Sequence, residues 1–180
     1  MNRLFRVARP SSAGWNVAKT AGQIVVVWSL ALGVLPAIVV AVEDARGVAH
    51  WDTPATRWVG VLLFAAGSAV GLTSGWLMAT VGRGTPIPFD AARELVIAGP
   101  YRVIRNPMAV SAVIQLFGIG LALGSTGTVL LAIAGGVVWH VLIRPPEERF
   151  LAELFGDSYA RYQGAVRCWI PRWPPDDRQQ

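Results

Sequence analysis

Three charged side chains set the question of chemistry: Arg144, Glu147 and Glu148 follow directly on the last long uncharged run of the chain. A charge next to a membrane-embedded helix is expensive unless it is paired or solvated, so this placement needs a reason. One reason is plain: Arg144 as a positive anchor, and the two glutamates as the acidic start of a new helix. The other is a ligand site, for which residues 82–108 (GRGTPIPFDAARELVIAGPYRVIRNPM) are the partner segment. That stretch is the long interruption between apolar runs that mixes Gly, Pro, Arg and polar residues. Within it Asn106-Pro107 reads as a helix start, with Asn capping free amides and Pro suited to the first helical position. Such a helix end favours an anionic or carbonyl group of a ligand. The spatial expectation is that the loop and the acidic pair close over one small charged molecule.

The elements that must position these residues are membrane spans. Of 180 residues 53% are hydrophobic and only 15% charged, more apolar than a soluble domain of this size. Residues 21–42 and 58–81 carry no charge and are each long enough to cross the roughly 30 Å hydrocarbon core as a helix. Residues 108–143 are too long for one crossing and suit two short ones, with Gly124, Ser125, Thr126 and Gly127 as the turn. The reading is an all-α integral membrane bundle of four crossings, the last two a hairpin, followed by an interfacial C-terminal helix. A cleaved signal peptide competes for the first run. Its apolar core, however, exceeds the roughly 7 to 15 residues of such peptides, and no A-x-A site precedes Glu43.

Charge placement tests the same topology independently. All basic residues except Arg46 and Arg57 fall on one side of the four-span arrangement. Positively charged loops are retained in the cytoplasm, so both termini and residues 82–108 are expected there. The net charge of +5 then reflects topology and attraction to anionic headgroups. Nucleic-acid binding is not expected, since no basic motif of its own is visible. Cys168 is the single cysteine and His50 and His140 the two histidines, so neither a disulfide framework nor a metal site is expected. Oligomeric state is open.

Local signals fill in the frame. Pro36 is expected to kink the first crossing. Gly67 and Gly71, with Ser68 and Gly75 close by, form a face that another helix can approach tightly, by preference within the monomer. Leu95, Val96 and Ile97 form an apolar patch expected to dip back against the membrane. Pro145-Pro146 is expected to break the chain's direction, with a new helix starting near Glu147 whose Phe150, Leu151, Leu154 and Phe155 share one face. Gly156 would end or bend that helix, and the Pro-rich tail from Ile170 would fray. The chain is read as one membrane domain over 1–180: an arm and two crossings (1–81), a core (82–171) and a tail (172–180).

The second half, from residue 82 to about 171, resembles the isoprenylcysteine carboxyl methyltransferase and phospholipid methyltransferase family of integral membrane enzymes. The carrying residues are Gly84-Thr85-Pro86, Leu95-Val96, Gly99-Pro100-Tyr101-Arg102 and Arg105-Asn106-Pro107-Met108. After the hairpin come Glu147-Glu148, Leu151, Phe155-Gly156, Tyr159, Tyr162 and Val166. The resemblance implies S-adenosylmethionine as methyl donor and S-adenosylhomocysteine as product, bound without a Rossmann domain. It implies that Arg93, Glu94, Leu95, Val96, Tyr101, Asn106, Pro107, Met108 and Ala109 line the cofactor and that Glu147 reaches one of its polar groups. Arg144, with Glu148 beside it, would serve the acceptor. The family often has His at the position of Asn106 and Tyr at that of Ala109, so one side-chain contact is lost or replaced here.

The residue types suit that donor. A carboxylate such as Glu147 pairs with an amino group, the Asn106-Pro107 helix start receives a carboxylate, and Tyr101 with Leu95-Val96 offers flat apolar surface to adenine. Methyl transfer needs alignment and exclusion of water rather than a metal. A carboxylate acceptor would be oriented by Arg144; an amine would lose its proton to a base such as Glu148. The substrate implied is lipophilic and enters from the bilayer. Two other readings remain: a membrane reductase using a nicotinamide cofactor, which lacks a G-x-G-x-x-G fingerprint here, and a scaffold or transport subunit.

Overall fold

The computed structural model describes residues 5–51 and 53–172. Arg3 and the tail expected to fray beyond residue 172 lie outside the described residues. The described chain is helical: α1 (Ala13–Ala45), α2 (Pro54–Thr80), α3 (Pro107–Leu123), α4 (Thr126–Phe155) and α5 (Asp157–Ala165). Helices α1, α2 and α4 are long and apolar enough to cross a membrane. The 17 residues of α3 make a shorter apolar helix of about 25 Å. This is a helical integral membrane bundle.

Each long helix starts where a side-chain oxygen meets its free amides. Ser12 accepts from Trp15 N, Thr53 and Thr56 form a reciprocal capping box ahead of Pro54, Asn106 accepts from Ala109 N, and Ser125 accepts from Thr128 N. The expected hairpin turn sits between α3 and α4, where Gly124 adopts a φ of 61° that an L side chain resists.

Helices α2 and α3 form the most extensive helix pair, and small residues make it possible. A Cβ on Gly60 would stand 2.4 Å from Gly118 O, and one on Gly67 would stand 2.8 Å from Gln115 Cγ. The glycine face of α2 is thus filled from within the same chain, by α3 along most of its length and by Trp28, Ile24 and Thr20 of α1 at Gly71 and Gly75. Gln115 Nε2 donates to Ser68 Oγ at 2.9 Å across this seam. Outward-facing Val26, Leu62, Leu130 and Leu142 are exposed, as a lipid-facing surface requires.

Both proline signals resolve in the same way. A π-helical turn, Ser29–Val34, precedes Pro36, and another, Trp139–Ile143, precedes Pro145-Pro146. A wider turn relieves the clash of a proline ring with the carbonyl four residues back and accommodates the missing N–H. The break expected at Pro145-Pro146 therefore does not occur: α4 runs unbroken through both prolines to Phe155. The direction changes later, at Gly156 (φ 53°), before α5. Far from residues 82–106, at the hairpin turn, Glu43 ties α1 to the start of α4, accepting from Ser125 Oγ at 2.5 Å and Gly127 N at 2.6 Å.

Candidate functional site

Residues 81–106 fold into a compact loop because glycine lets its backbone double back. Arg93 N and Glu94 N both donate to Gly82 O, at 2.7 and 3.2 Å, and Thr85 N donates to Asp90 O at 2.7 Å. A Cβ on Gly84 would lie 2.7 Å from backbone atoms of Ala91 and Ala92, so no larger residue fits. A 3-10 turn, Gly99–Arg102, then turns the Tyr101 ring inward, and Tyr162 Oη of α5 donates to Tyr101 O at 2.7 Å.

The polar end of α4 stands over this loop. Asn106 joins the two: its Oδ1 accepts from Ala109 N at 3.1 Å, and its Nδ2 donates to Glu147 Oε2 at 3.1 Å. Arg105 is the second joint. Its Nη1 donates to the carbonyls of Gln163 (2.9 Å) and Val166 (2.7 Å), and its Nη2 to Glu148 Oε1 at 2.8 Å. Glu148 Oε2 accepts from Gln163 Nε2 at 3.3 Å and lies 3.7 Å from Arg144 Nε. Arg144 Nη1 is 3.3 Å from His140 Nδ1, which accepts from Trp169 Nε1 at 2.8 Å.

Between loop and helix lies a cavity of about 120 Å³. Of the residues singled out from sequence, Glu94, Leu95, Val96, Tyr101, Asn106, Met108, Arg144, Glu147 and Glu148 line it. Arg93, Pro107 and Ala109 do not: Arg93 is exposed, Pro107 is buried in the first turn of α3, and the Ala109 amide is taken by the Asn106 cap. Glu94 sits at the rim, 3.2 Å from Arg83 in an exposed pair. Val96 is buried and Leu95 half-buried, while Ile97 is exposed. Phe150, Leu151 and Phe155 also face the cavity, and Leu154 stays exposed.

Several lining residues were not singled out as site residues from sequence. Tyr159 and Tyr162 form a small core with Val166, against which Leu95, Leu151 and Phe155 pack, closing the cavity from below. Burial pushes the phenols of Tyr101, Tyr159 and Tyr162 well above their ordinary value, so all three are neutral donors. Cys168 and Phe5 are wall residues too. Burial raises the Cys168 thiol, with Arg105 opposing. In the sequence Arg105 stood as one of the loop's basic residues and within the Arg105-Asn106-Pro107-Met108 motif; Phe5 carried no signal.

Electrostatically the cavity is uneven. Among the described residues Glu147 receives one hydrogen bond, from the neutral Asn106 amide, and no cation stands within ion-pair distance. Glu148, one residue on, is met by Arg105 and Arg144. The first carboxylate is the one left to attract a positive group from a ligand.

A family model described as phospholipid methyltransferase matches residues 55–158, more than half of the chain. Among curated proteins, the cobalt-zinc-cadmium resistance protein CzcN of Cupriavidus metallidurans is 32% identical over 130 residues, covering 70% of this chain and 56% of that protein. The nickel-cobalt-cadmium resistance protein NccN of Alcaligenes xylosoxydans xylosoxydans is 33% identical over 129 residues, 68% of this chain and 56% of that protein. The chain thus spans about half the length of the curated relatives it matches.

Proposed function

This chain belongs to the phospholipid methyltransferase family, and from that premise we propose that it transfers a methyl group from S-adenosylmethionine to a lipophilic acceptor at the cytosolic face of the membrane. The observation that carries the reading is the Asn106–Glu147 contact. It brings the loop before the hairpin and the acidic pair after it to one cavity, with a carboxylate that no cation among the described residues pairs with.

The residues present fit the donor. Glu147 would hold its amino group, Met108 at the start of α3 would meet its carboxylate, and Leu95, Val96 and Tyr101 would supply flat apolar surface for adenine. S-adenosylmethionine supplies an electrophilic methyl group when bound. The chain's own part is to align the acceptor and keep water out, through the Tyr159–Tyr162–Val166 core beneath and the apolar loop wall beside. On the acceptor side, both oxygens of Glu148 already accept hydrogen bonds, from Arg105 and Gln163. Arg144 Nε, by contrast, makes no hydrogen bond among the described residues, only the longer 3.7 Å ion pair to Glu148. That asymmetry favours an acidic acceptor oriented by Arg144 over an amine that gives its proton to Glu148.

Purified protein in detergent is expected to bind S-adenosylhomocysteine by calorimetry, and Glu147→Gln to weaken that binding about tenfold, the scale of one charge-assisted hydrogen bond. Arg144→Ala should leave cofactor affinity in place and reduce turnover. Equal effects of both variants on cofactor affinity would refute this division. The acceptor is to be found by following a labelled methyl group into membrane lipids and proteins. The relatives' names recommend running that assay with and without cobalt, zinc and cadmium.

A further inference from the structure

We infer that the N-terminal arm, residues 5–9, forms one wall of this cavity and that Phe5 is a ligand-binding residue of it. The inference rests on the reading of the cavity as a cofactor site. The family match begins at residue 55, so nothing in that match assigns the arm a part.

Three separate contacts seat the arm and α1 on the loop. Ala8 N donates to Ala91 O and Ala91 N donates to Arg6 O, each at 2.9 Å, forming an isolated parallel bridge. Lys19 pairs with Asp90, and Gln23 Nε2 donates to Thr85 Oγ1 at 3.1 Å. Ala91 and Thr85 are themselves cavity-lining residues, so the loop's inner surface is held from the first helix outward. Phe5 completes the wall: its ring lines the cavity and stacks on Phe150 of α4, centroids 5.2 Å apart at 26°. An aromatic ring so placed offers a ligand apolar surface and shuts off one approach of water.

The closure is also light. Among the described residues, two backbone hydrogen bonds and one ring stack tie residues 5–8 to the loop and α4, whereas α1 is fixed by its own packing, so the arm can open without disturbing the bundle. Opening exposes the side of the cavity where Phe5 meets Phe150, giving a small ligand a path from the aqueous side.

The single cysteine provides a readout that needs no ligand, because Cys168 is buried and lines the same cavity. Maleimide labelling of Cys168 should be about fivefold faster in Phe5→Ala, and comparably so in Ala8→Pro, which removes the N–H that meets Ala91 O. S-adenosylhomocysteine binding by calorimetry should weaken about tenfold in Phe5→Ala and much less in Phe5→Leu, which keeps apolar surface. Labelling at the wild-type rate in both variants overturns the wall. Faster labelling with unchanged affinity overturns the binding role of Phe5. If the wild-type protein binds no S-adenosylhomocysteine, the cofactor reading falls instead, and the labelling rates alone decide whether the arm covers the cavity.

Discussion

Arg105 is the residue whose removal should cost the site most. Its guanidinium holds the carbonyls of Gln163 and Val166 and one oxygen of Glu148, while its backbone N–H donates to Arg167 O at 2.9 Å. One side chain thus fastens the loop, the end of α4 and the segment after α5. The ion pair is well shielded, with side chains 12% and 17% exposed. Removing one member of a buried pair costs about 3–5 kcal/mol, because the other charge keeps its desolvation without its partner. Here Arg144 and Gln163 still reach Glu148, so the lower end applies, about 3 kcal/mol. For a chain of this size that is about 6–12 °C in melting temperature. Arg105→Ala in detergent should therefore melt that much lower, and limited proteolysis should cut first after residue 156, where the lost bonds anchored the chain. Arg105→Lys keeps the charge but not the fork that meets three acceptors at once, and should recover less than half of the loss. A melting temperature within about 2 °C of wild type, with no faster cleavage, would refute the reasoning.

Other expectations follow from the same geometry. Gly60→Ala places a Cβ 2.4 Å from Gly118 O and 2.6 Å from Ala122 N, backbone atoms that cannot turn aside. It should destabilise by about 2–3 kcal/mol in thermal melts. Gly22→Ala, with nothing within 4 Å, should be neutral or stabilise by up to about 1 kcal/mol. Glu43→Ala leaves the Gly127 N–H without its acceptor and Ser125 Oγ without one of its two, and should cost about 2–3 kcal/mol in the same assay. Because burial raises the Cys168 thiol, its maleimide labelling should titrate above the ordinary value of about 8.5, and a midpoint at or below that value would contradict the burial. A raised thiol contributes fully to stability below its ordinary value, and that contribution is lost as pH climbs through the folded one. Melting temperature should therefore fall on the alkaline side, and Cys168→Ala should remove part of the fall.

How much of this was legible in the chain depends on whether a feature is carried by local chemistry or by distant contact. The spans were legible because lipid demands long uncharged helices, and the helix start at Asn106 because capping uses side chains within three residues, whereas Ser125 could be read only as part of a turn. The Gly67/Gly71 face could be read as a contact, and Gln115 and Ser111 of α3 fill it. The continuation of α4 through Pro145-Pro146 could not be read. The π turn that permits it lies in residues 139–143, an apolar run whose types are equally compatible with an ordinary α-helix. That continuation matters for the site. Had the chain turned at the prolines, Glu147 would have been carried away from the α3 start; because it does not, α4 projects past its apolar part and sets Glu147 against Asn106. Phe5 is the opposite case, a residue without any local signal, brought to the cavity by a bridge to Ala91 more than eighty positions away. A cavity built from the arm, the loop, the end of α4 and the segment after α5 has no single stretch that encodes it. Its charges betrayed it before its walls did, since Arg144, Glu147 and Glu148 are costly beside a bilayer, whereas an aromatic ring there is ordinary.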